Sequence, residues 1–240
     1  MNKAVSPQPW RIFHVEETDS TNMLARAGAP GDVFTADFQR AGRGRLDHSW
    51  LSTRGKNLMM SAVTGFGDMD AQAVSTLPLA AGLAVAEALR RFACPLALKW
   101  PNDILASGRK LSGILCERHG DSAIIGIGVN VLQCEFPPEI SARATSLKLL
   151  GSTADVPAVR DAVLSSLAET VAEWRDAGFA SLWPRVAAMD FLRGRRISVR
   201  QLDDDAAPVS GICGGIAEDG SLIVGGRPVW AGEAHVEACG

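Results

Sequence analysis

The sequence predicts an α+β protein in which a mixed β-sheet packs with helices and is followed by a small all-β region. Strand-like and helix-like patterns alternate over most of the chain and include a hairpin, which favours a mixed sheet over a purely parallel one. After Arg193, short apolar runs alternate with Asp/Gly turns, which is typical of a small β domain. We therefore expect a leader at 1–12, a main domain at 13–190 and a C-terminal domain at 191–240.

The elements of the main domain each have a local signal. The segment 19–28 begins with residues that cap helices and ends at a glycine. The run 57–63 is apolar throughout, which indicates a central strand. Pro157 suits the first turn of a helix whose apolar residues recur every three or four positions. The predicted strands are 13–17, 33–39, 57–63, 96–100, two runs around a Gly108-Arg109 turn within 104–117, and 122–131, and the predicted helices are 19–28, 73–92, 157–177 and 179–192.

Composition restricts the classes of function. Of 240 residues, 47% are hydrophobic and 21% charged, and the net charge of −3 argues against a general nucleic-acid binder. The five cysteines include no CxxC pair and no zinc-like spacing, so we expect reduced thiols. The N-terminal segment MNKAVSPQPW has no apolar h-region, so we do not expect it to be a secretory signal. The near-apolar run 77–89 is too short to span a bilayer and contains Glu87. We expect a cytoplasmic protein without a membrane segment.

A basic loop is the first candidate for function. The segment 39–50, QRAGRGRLDHSW, combines three arginines with two glycines. Glycines let a backbone approach a ligand, and arginine guanidinium groups match carboxylates and phosphates. The loop therefore either binds an anionic ligand or is a solvated basic turn.

A second candidate is the segment 99–117, KWPNDILASGRKLSGILCE. Asp103 follows a strand, where its carboxylate can hold magnesium, orient a neighbouring group or form an Asx turn. Lys110 lies on the return strand of the hairpin and is either a phosphate contact or a surface lysine. Asn130 ends an apolar strand, so its amide must be hydrogen-bonded, either to backbone or to an adenine edge.

Five motifs, in this order, resemble the motif set of biotin protein ligases. They are DSTN at 19–22, QRAGRGRLDHSW at 39–50, KWPNDI at 99–104, KLSGILCE at 110–117 and GIGVNV at 126–131. The C-terminal GGIAEDGSLIV and PVWAGEAHV resemble the small SH3-like domain of that family, so the resemblance covers roughly residues 13–240. It implies the biotin/lipoate ligase catalytic fold, which is class II synthetase-like, followed by an SH3-like β-barrel.

The resemblance also implies a two-step reaction. Biotin and Mg-ATP would give biotinyl-5′-AMP and pyrophosphate, and a lysine of a biotin carboxyl carrier protein domain of a carboxylase would then accept the biotinyl group. Residues 40–50 would order over the ligand as a lid. Family members occur as monomers and dimers, so a homodimer is possible. The motifs begin within about twenty residues of Met1, so we expect no helix-turn-helix and no DNA binding.

The resemblance implies a role for each matching residue. Lys110 would bridge the biotin carboxylate and the α-phosphate, Arg45 would hold phosphates, and Asp103 would support the attacking lysine or a Mg²⁺ ion. The residues implied to bind biotin are Ser20, Thr21, Asn22, Gln39, Gly42, Arg43, Lys110 and Gly113. The residues implied to bind ATP are Arg43, Arg45, Trp50, Asn102, Lys110 and Asn130.

The basic loop departs from the family pattern GRGRxGRxW at two positions. Asp47 and His48 stand where the pattern has Gly and Arg, while Trp50 is kept. The loop thus loses a flexible position and a fixed positive charge, and we expect it to close less tightly and to release the adenylate faster.

Two other readings of the sequence stay open. A lipoate or octanoate protein ligase shares the fold, and the acid that supports adenylation distinguishes it. A non-catalytic biotin-binding or nucleotide-binding protein is the second alternative, although the presence of both Lys110 and Asp103 argues against it.

Overall fold

The computed structural model of the chain describes residues 10–46, 48–201 and 206–237. The strands are β1 (Arg11–Thr18), β2 (Asp32–Gln39), β3 (Asn57–Gly65), β4 (Leu96–Lys99), β5 (Asp103–Ala106), β6 (Arg109–His119), β7 (Ser122–Asn130), β8 (Arg196–Arg200), β9 (Val209–Ile216), β10 (Leu222–Val224), β11 (Arg227–Val229) and β12 (Glu233–Val236). The α-helices are α1 (Thr21–Ala25), α2 (Ala71–Ser75), α3 (Leu77–Leu89), α4 (Pro138–Ser141), α5 (Val156–Ala177) and α6 (Phe179–Ala188), and Lys148–Leu150 forms a 3₁₀ turn.

The main sheet has seven strands in the order β1-β2-β3-β7-β6-β5-β4. The β1–β2 pair is parallel and the other pairs are antiparallel, which confirms the predicted mixed sheet. β3 has a neighbour on each side, as its apolar sequence predicted.

The two faces of this sheet have different coverings. Side chains alternate between the faces of a strand. On one face, the core face, apolar side chains such as Met60 and Ile127 join one continuous core with α3, α5 and α6. On the other, the open face, stand Met59, Gly126 and Gly128, together with α1 and the basic loop. Any candidate site on the sheet must therefore lie on the open face.

The predicted single helix at 73–92 is wrong, because the chain forms two helices that meet at Thr76. Asp70 caps α2 by accepting a hydrogen bond from the backbone N–H of Ala73 at 2.7 Å. The Thr76 hydroxyl donates to the Ala73 carbonyl at 2.6 Å, and Pro78 lies in the first turn of α3. Thr76 thus closes one helix and Pro78 opens the next.

The segment Ala71–Leu89 is long and apolar enough to cross a membrane by length and composition alone. However, 67% of its apolar window is buried inside the protein, where α3 packs on α5. A core helix passes the same test, and this burial accounts for its apolar sequence.

Two other predicted boundaries shift. The turn between β5 and β6 is formed by Ser107 and Gly108, which have φ angles of 49° and 74°, rather than by Gly108 and Arg109. The last helix of the main domain ends at Ala188 instead of 192. Residues beyond it pair with the edge strand β4, since Leu98 donates to the Met189 carbonyl at 2.7 Å.

The C-terminal sheet, formed by β8 to β12, is antiparallel with the order β11-β10-β9-β8-β12. It is attached to the rest of the chain by partly buried hydrogen bonds. The indole N–H of Trp100 donates to the Gly220 carbonyl at 3.2 Å, and that of Trp183 donates to the Ile216 carbonyl at 2.8 Å. The Asp190 carboxylate accepts from the Ile216 N–H at 2.9 Å. These bonds hold the C-terminal sheet against one end of the main sheet.

Candidate active site

A row of directly paired residues crosses the open face. Lys99 on β4 is paired with Asp103 on β5, which is paired with Gly113 on β6. Gly113 is paired with Gly128 on β7, and Gly128 with Met59 on β3. Residues directly opposite each other have side chains on the same face of a sheet. The row therefore has two charged groups at one end and a glycine floor in its middle.

A β-bulge brings Lys110 onto this face. The pairing of β5 with β6 shifts register between Ile104 and Leu105, so that Lys110 takes the position that simple alternation would give to Leu111. Leu111 is fully buried in the core. Bulges of this kind redirect a side chain. As a result, the Lys110 ammonium lies 2.7 Å from the Asp103 carboxylate.

The backbone of Lys110 is also fixed from outside the hairpin. Its N–H donates to the Arg143 carbonyl at 2.7 Å, and its carbonyl accepts from the Thr145 N–H at 2.9 Å. The lysine therefore projects from a rigid strand end, which is the placement that a precisely positioned charge requires.

Trp50, the last residue of the basic loop, covers the glycine floor. An ideal Cβ built on Gly128 would lie 2.5 Å from its ring, and one built on Gly113 would lie 3.2 Å from it. The indole N–H is buried and has no hydrogen-bond partner among the described residues. The Lys110 ammonium is 5.9 Å from the ring centroid. The indole thus fills the flat apolar depression above the glycine floor, called the slot below, beside the Lys110–Asp103 pair.

A buried polar network closes the other end of the slot. The Thr21 N–H and hydroxyl both donate to Gln39 Oε1, at 2.8 and 3.1 Å. The Ser61 hydroxyl lies 2.8 Å from Thr21 Oγ1 and 2.6 Å from Asn22 Oδ1. Because these bonds occupy only the oxygen of the Gln39 amide, its NH₂ group has no partner among the described residues. Ser20, at the N-cap of α1, is 2% exposed and its side chain forms no cap bond.

Two partly buried cations near the slot lack an ionic partner. Burial lowers the pKa of Arg45, and the charges of Asp103 and Glu233 oppose this shift. Burial also lowers the pKa of Lys99, again opposed by Asp103 and Glu233. Neither side chain forms an ion pair within 4.0 Å in the part of the chain that the structure describes. Burying an unpaired charge is costly, so the two side chains are suited to an anionic ligand.

Arg45 also lines a cavity of about 250 Å³ at the junction with the C-terminal sheet. Trp100, Cys116 and the half-exposed Trp230 form part of its wall. Burial raises the pKa of the Cys116 thiol well above its ordinary range, so this cysteine is an unreactive thiol.

The structure brings most of the predicted residues together on the open face. Gly42 packs against the end of the loop, where an added Cβ would lie 2.6 Å from the Trp50 carbonyl oxygen. The amides of Asn102 and Asn130 donate to backbone carbonyls, of Ile114 at 2.7 Å and of Thr145 at 2.9 Å. Their proposed contacts with ATP stay predictions.

Asp47 and His48 are the two positions of the basic loop that depart from the family pattern. Asp47 lies outside the described residues. His48 Nε2 is 3.5 Å from the Glu233 carboxylate of the C-terminal sheet. Burial raises the pKa of Glu233, but a hydrogen bond from His48 and the charges of His235 and Arg200 leave that pKa lowered.

Three residues of the site were not predicted from the sequence, namely Lys99, Ser61 and Glu117. Lys99 reaches the site because it pairs with Asp103, and Ser61 because it pairs with Gly126. Glu117 accepts hydrogen bonds from Asn22 and Arg43. The roles of all three residues depend on how the strands pair, and sequence motifs do not give that pairing. Lys99 is nevertheless the first residue of KWPNDI, and Glu117 is the last residue of KLSGILCE.

The comparisons with known proteins agree with this geometry. Residues 15–131 match the model of the Biotin/lipoate A/B protein ligase family. Over 236 residues the chain is 38% identical to the biotin–[acetyl-CoA-carboxylase] ligase of Mycobacterium tuberculosis, with 92% of this chain and 86% of the relative covered. The chain belongs to the biotin protein ligase family.

Other members of the biotin protein ligase family support the assignment. The bifunctional ligase/repressor BirA of Escherichia coli is 31% identical, and the match covers 86% of this chain and 66% of BirA. The biotin protein ligase of Aquifex aeolicus in complex with biotin and ATP has the same fold, with a TM-score of 0.83 and 29% identity. That match covers 95% of this chain and 99% of the Aquifex chain.

Proposed function

We propose that this member of the family activates biotin with ATP as biotinyl-5′-AMP and transfers the biotinyl group to a lysine of a biotin carboxyl carrier protein domain. The observation that carries the proposal is the row on the open face, in which the Lys110–Asp103 pair stands beside a glycine floor covered by Trp50. The slot holds one flat ring, the Trp50 indole, and the ring system of biotin would take that place when the loop moves aside. The charged pair marks where the biotin carboxylate would react. The relatives named as biotin ligases support the same reaction.

The first step joins two anions. A biotin carboxylate oxygen bonds to the α-phosphorus of ATP, and the bond from that phosphorus to the β-phosphate bridging oxygen breaks, releasing pyrophosphate. Two unit charges at contact distance repel by about 4 kcal/mol at an effective dielectric of about 20. Lys110 would bridge the two reacting anions, and Arg45 and Lys99 would neutralise the phosphates.

The second step forms an amide. The amine of the acceptor lysine attacks the biotinyl carbonyl, the bond to the AMP oxygen breaks, and the amine loses a proton. We assign Asp103 to orient this amine, since it is a carboxylate in the row beside the slot and 2.7 Å from Lys110.

The polar network would bind the other end of biotin. The ureido group offers one carbonyl acceptor and two N–H donors. The free NH₂ group of Gln39 suits the carbonyl, and the buried Ser20 hydroxyl and the Asn22 amide oxygen suit the N–H groups. The basic loop, with Trp50 at its end, would exclude water from the mixed anhydride.

Magnesium fits this site only as a partner of the nucleotide. Among the described residues there is no group of three or more His, Cys, Asp or Glu side chains that could hold a metal ion. Asp103 is a single carboxylate already paired with Lys110. Mg²⁺ prefers phosphate oxygens and water with one or two carboxylates. We propose that it enters with ATP, with Asp103 as its one candidate protein ligand.

We also propose the division of the chain into a catalytic domain at 13–190 and an SH3-like domain at 191–240. The separate antiparallel sheet of β8 to β12 supports it. The four described cysteines are free, which suits the reducing cytoplasm that we propose as its location. Homodimer formation and the absence of DNA binding stay predictions.

Pyrophosphate release without an acceptor tests the proposal. Purified protein is incubated with Mg-ATP and either biotin or lipoate, and pyrophosphate is measured over time. We expect release with biotin only, and its loss in Lys110→Ala. Equal release with lipoate would favour the lipoate ligase alternative, and biotin binding without release would favour the non-catalytic one.

A further inference from the structure

Glu117 joins two parts of the site that are far apart in the sequence. Its Oε2 accepts a hydrogen bond from Asn22 Nδ2 at 2.6 Å, and its Oε1 accepts one from Arg43 Nη1 at 3.1 Å. Arg26 adds a weaker contact at 3.5 Å. Its side chain is only 20% exposed. One carboxylate therefore connects the helix that carries the polar network with the basic loop.

The first consequence concerns the orientation of the Asn22 amide. A carboxylate can only accept hydrogen bonds, so the group that faces Glu117 must be the NH₂ of Asn22. That NH₂ group also points to the Leu115 carbonyl at 3.4 Å. The amide oxygen consequently turns toward Ser61 and the floor, where an ideal Cβ on Gly126 would lie 2.3 Å from it. Asn22 thus presents an acceptor to the slot.

The second consequence concerns the loop. Arg43 lies between Gly42 and Gly44, and its backbone pairs with Ser49 in an isolated bridge. The Arg43–Glu117 bond attaches this glycine-flanked segment to the rigid strand β6. It is a charge-assisted bond from an exposed guanidinium to a largely buried carboxylate, and such bonds are shorter and stronger than bonds between neutral groups.

We propose that Glu117 is a positioning residue for biotin: it holds Asn22 as a hydrogen-bond acceptor for the ureido N–H and anchors the basic loop through Arg43. This rests on the proposed function, and it adds a residue that touches no substrate. Ureido recognition and loop closure then depend on the same carboxylate.

The main test is Glu117→Gln, which keeps size and shape but can donate a hydrogen bond and so permits the Asn22 amide to flip. We expect the KM for biotin to rise about tenfold or more, as expected for a lost bond to a charged group, while the KM for ATP stays within about twofold. Thermal unfolding checks that the fold is intact. Glu218→Gln, at an exposed position, is the matched control and should match wild type.

A double-mutant cycle tests whether the Arg43–Glu117 bond anchors the basic loop. Arg43→Ala should speed release of biotinyl-AMP, and the double variant Arg43→Ala/Glu117→Gln should release it no faster than Glu117→Gln alone, because Glu117→Gln already removes the bond to Arg43. Strictly multiplicative effects of the two substitutions would overturn the loop anchor. Unchanged biotin KM in Glu117→Gln would overturn the role in ureido recognition.

Calorimetric biotin binding without ATP separates this inference from the proposed function. If wild type binds biotin but releases no pyrophosphate, the ligase proposal fails, and weaker binding by Glu117→Gln still supports the positioning role. If wild type adenylates biotin and Glu117→Gln binds it as tightly as wild type does, the positioning role fails and the ligase proposal stands.

Discussion

The two faces of the main sheet are made from alternate residues of the same strands, yet they have opposite compositions. On β7, Ile125 and Ile127 lie in the core beneath the helices, while Gly126 and Gly128 form the floor of the open face. The core face gains burial from each side chain, at about 1.5–3 kcal/mol for a large apolar one. The open face gives up that gain, and in return its glycines leave a flat depression that the Trp50 ring occupies in this structure.

The comparison shows how one strand can serve stability and chemistry together. Packing holds the backbone of β6 and β7 in place from below. The open side then needs only a few polar groups, because their positions are set by register and by one bulge at Lys110. Adjacent positions in the sequence should accordingly respond very differently to substitution.

The largest expected effect contrasts Gly128→Ala with Ile127→Val. A Cβ at position 128 would lie 2.5 Å from the Trp50 ring, so the variant closes the slot or displaces its cover. We expect adenylation to fall by about 100-fold or more, a loss of about 2.7 kcal/mol or more of transition-state stabilisation. Ile127→Val should cost about 0.5–1.5 kcal/mol of stability and leave the KM for biotin unchanged. Steady-state kinetics and chemical unfolding measure both, and similar kinetic losses in the two variants would contradict the comparison.

The next effect concerns the charged end of the row. Lys99→Ala should raise the KM for ATP by about tenfold or more, because a partly buried cation without a partner loses its proposed phosphate contact. Lys99→Arg should retain most of the affinity. An unchanged KM for ATP in Lys99→Ala would show that this lysine is structural.

The same lysine predicts a pH dependence. Burial lowers its pKa, and a bound phosphate would raise it again, so ATP binding takes up a proton once the pH exceeds the lowered value. The KM for ATP should therefore increase with pH in the alkaline range. Lys99→Arg, whose guanidinium stays charged, should show a flatter profile, and identical profiles would refute the assignment.

A smaller effect is expected at the junction with the C-terminal sheet, which belongs to neither face. The Asp190 carboxylate accepts from the Leu192 and Ile216 N–H groups, both at 2.9 Å. Asp190→Ala leaves both donors unpaired and should lower stability by about 1–3 kcal/mol. Burial raises the pKa of Asp190 despite these bonds. Its contribution is therefore greatest in acid and decreases as the pH rises through the raised pKa, so the stability difference should narrow toward neutral pH.

The smallest effect is expected in the loop above the open face. Asp47→Gly/His48→Arg restores the family pattern by removing a carboxylate and adding a guanidinium. It should slow release of biotinyl-AMP by about threefold, because the charge added at position 48 is exposed and contributes little. The release rate after a single turnover is the measurement. Equal rates in the variant and wild type would show that the departure does not loosen the loop.

Much of the fold could be predicted from local patterns, because the sheet strands carry strong apolar signals. The hairpin predicted within 104–117 placed Lys110 on the return strand, near Asp103. The break at Thr76 was missed because the apolar composition of Ala71–Leu89 continues through it. The turn was displaced by one residue because Ser107 adopts a left-handed conformation that its side chain does not predict.

The rest of the site depends on pairings between distant strands. Lys99 and Glu117 become site residues only when β4 pairs with β5 and α1 packs on the sheet. Asn130, by contrast, could be interpreted from local sequence. Its amide donates to a backbone carbonyl, which is one of the two partners expected for it from the sequence. Local sequence identifies the motifs, and register decides which of their residues meet.

The central claim, that Lys110 on the open face drives transfer of biotin to protein, is tested most directly by intact-mass spectrometry. A biotin carboxyl carrier domain is incubated with this protein, Mg-ATP and biotin, with lipoate and Lys110→Ala in parallel. We expect a mass increase of one biotinyl group with biotin and wild type only. Two results would contradict the account. One is a carrier domain that stays unmodified while no pyrophosphate is released, and the other is a carrier domain that Lys110→Ala modifies as fully as wild type does.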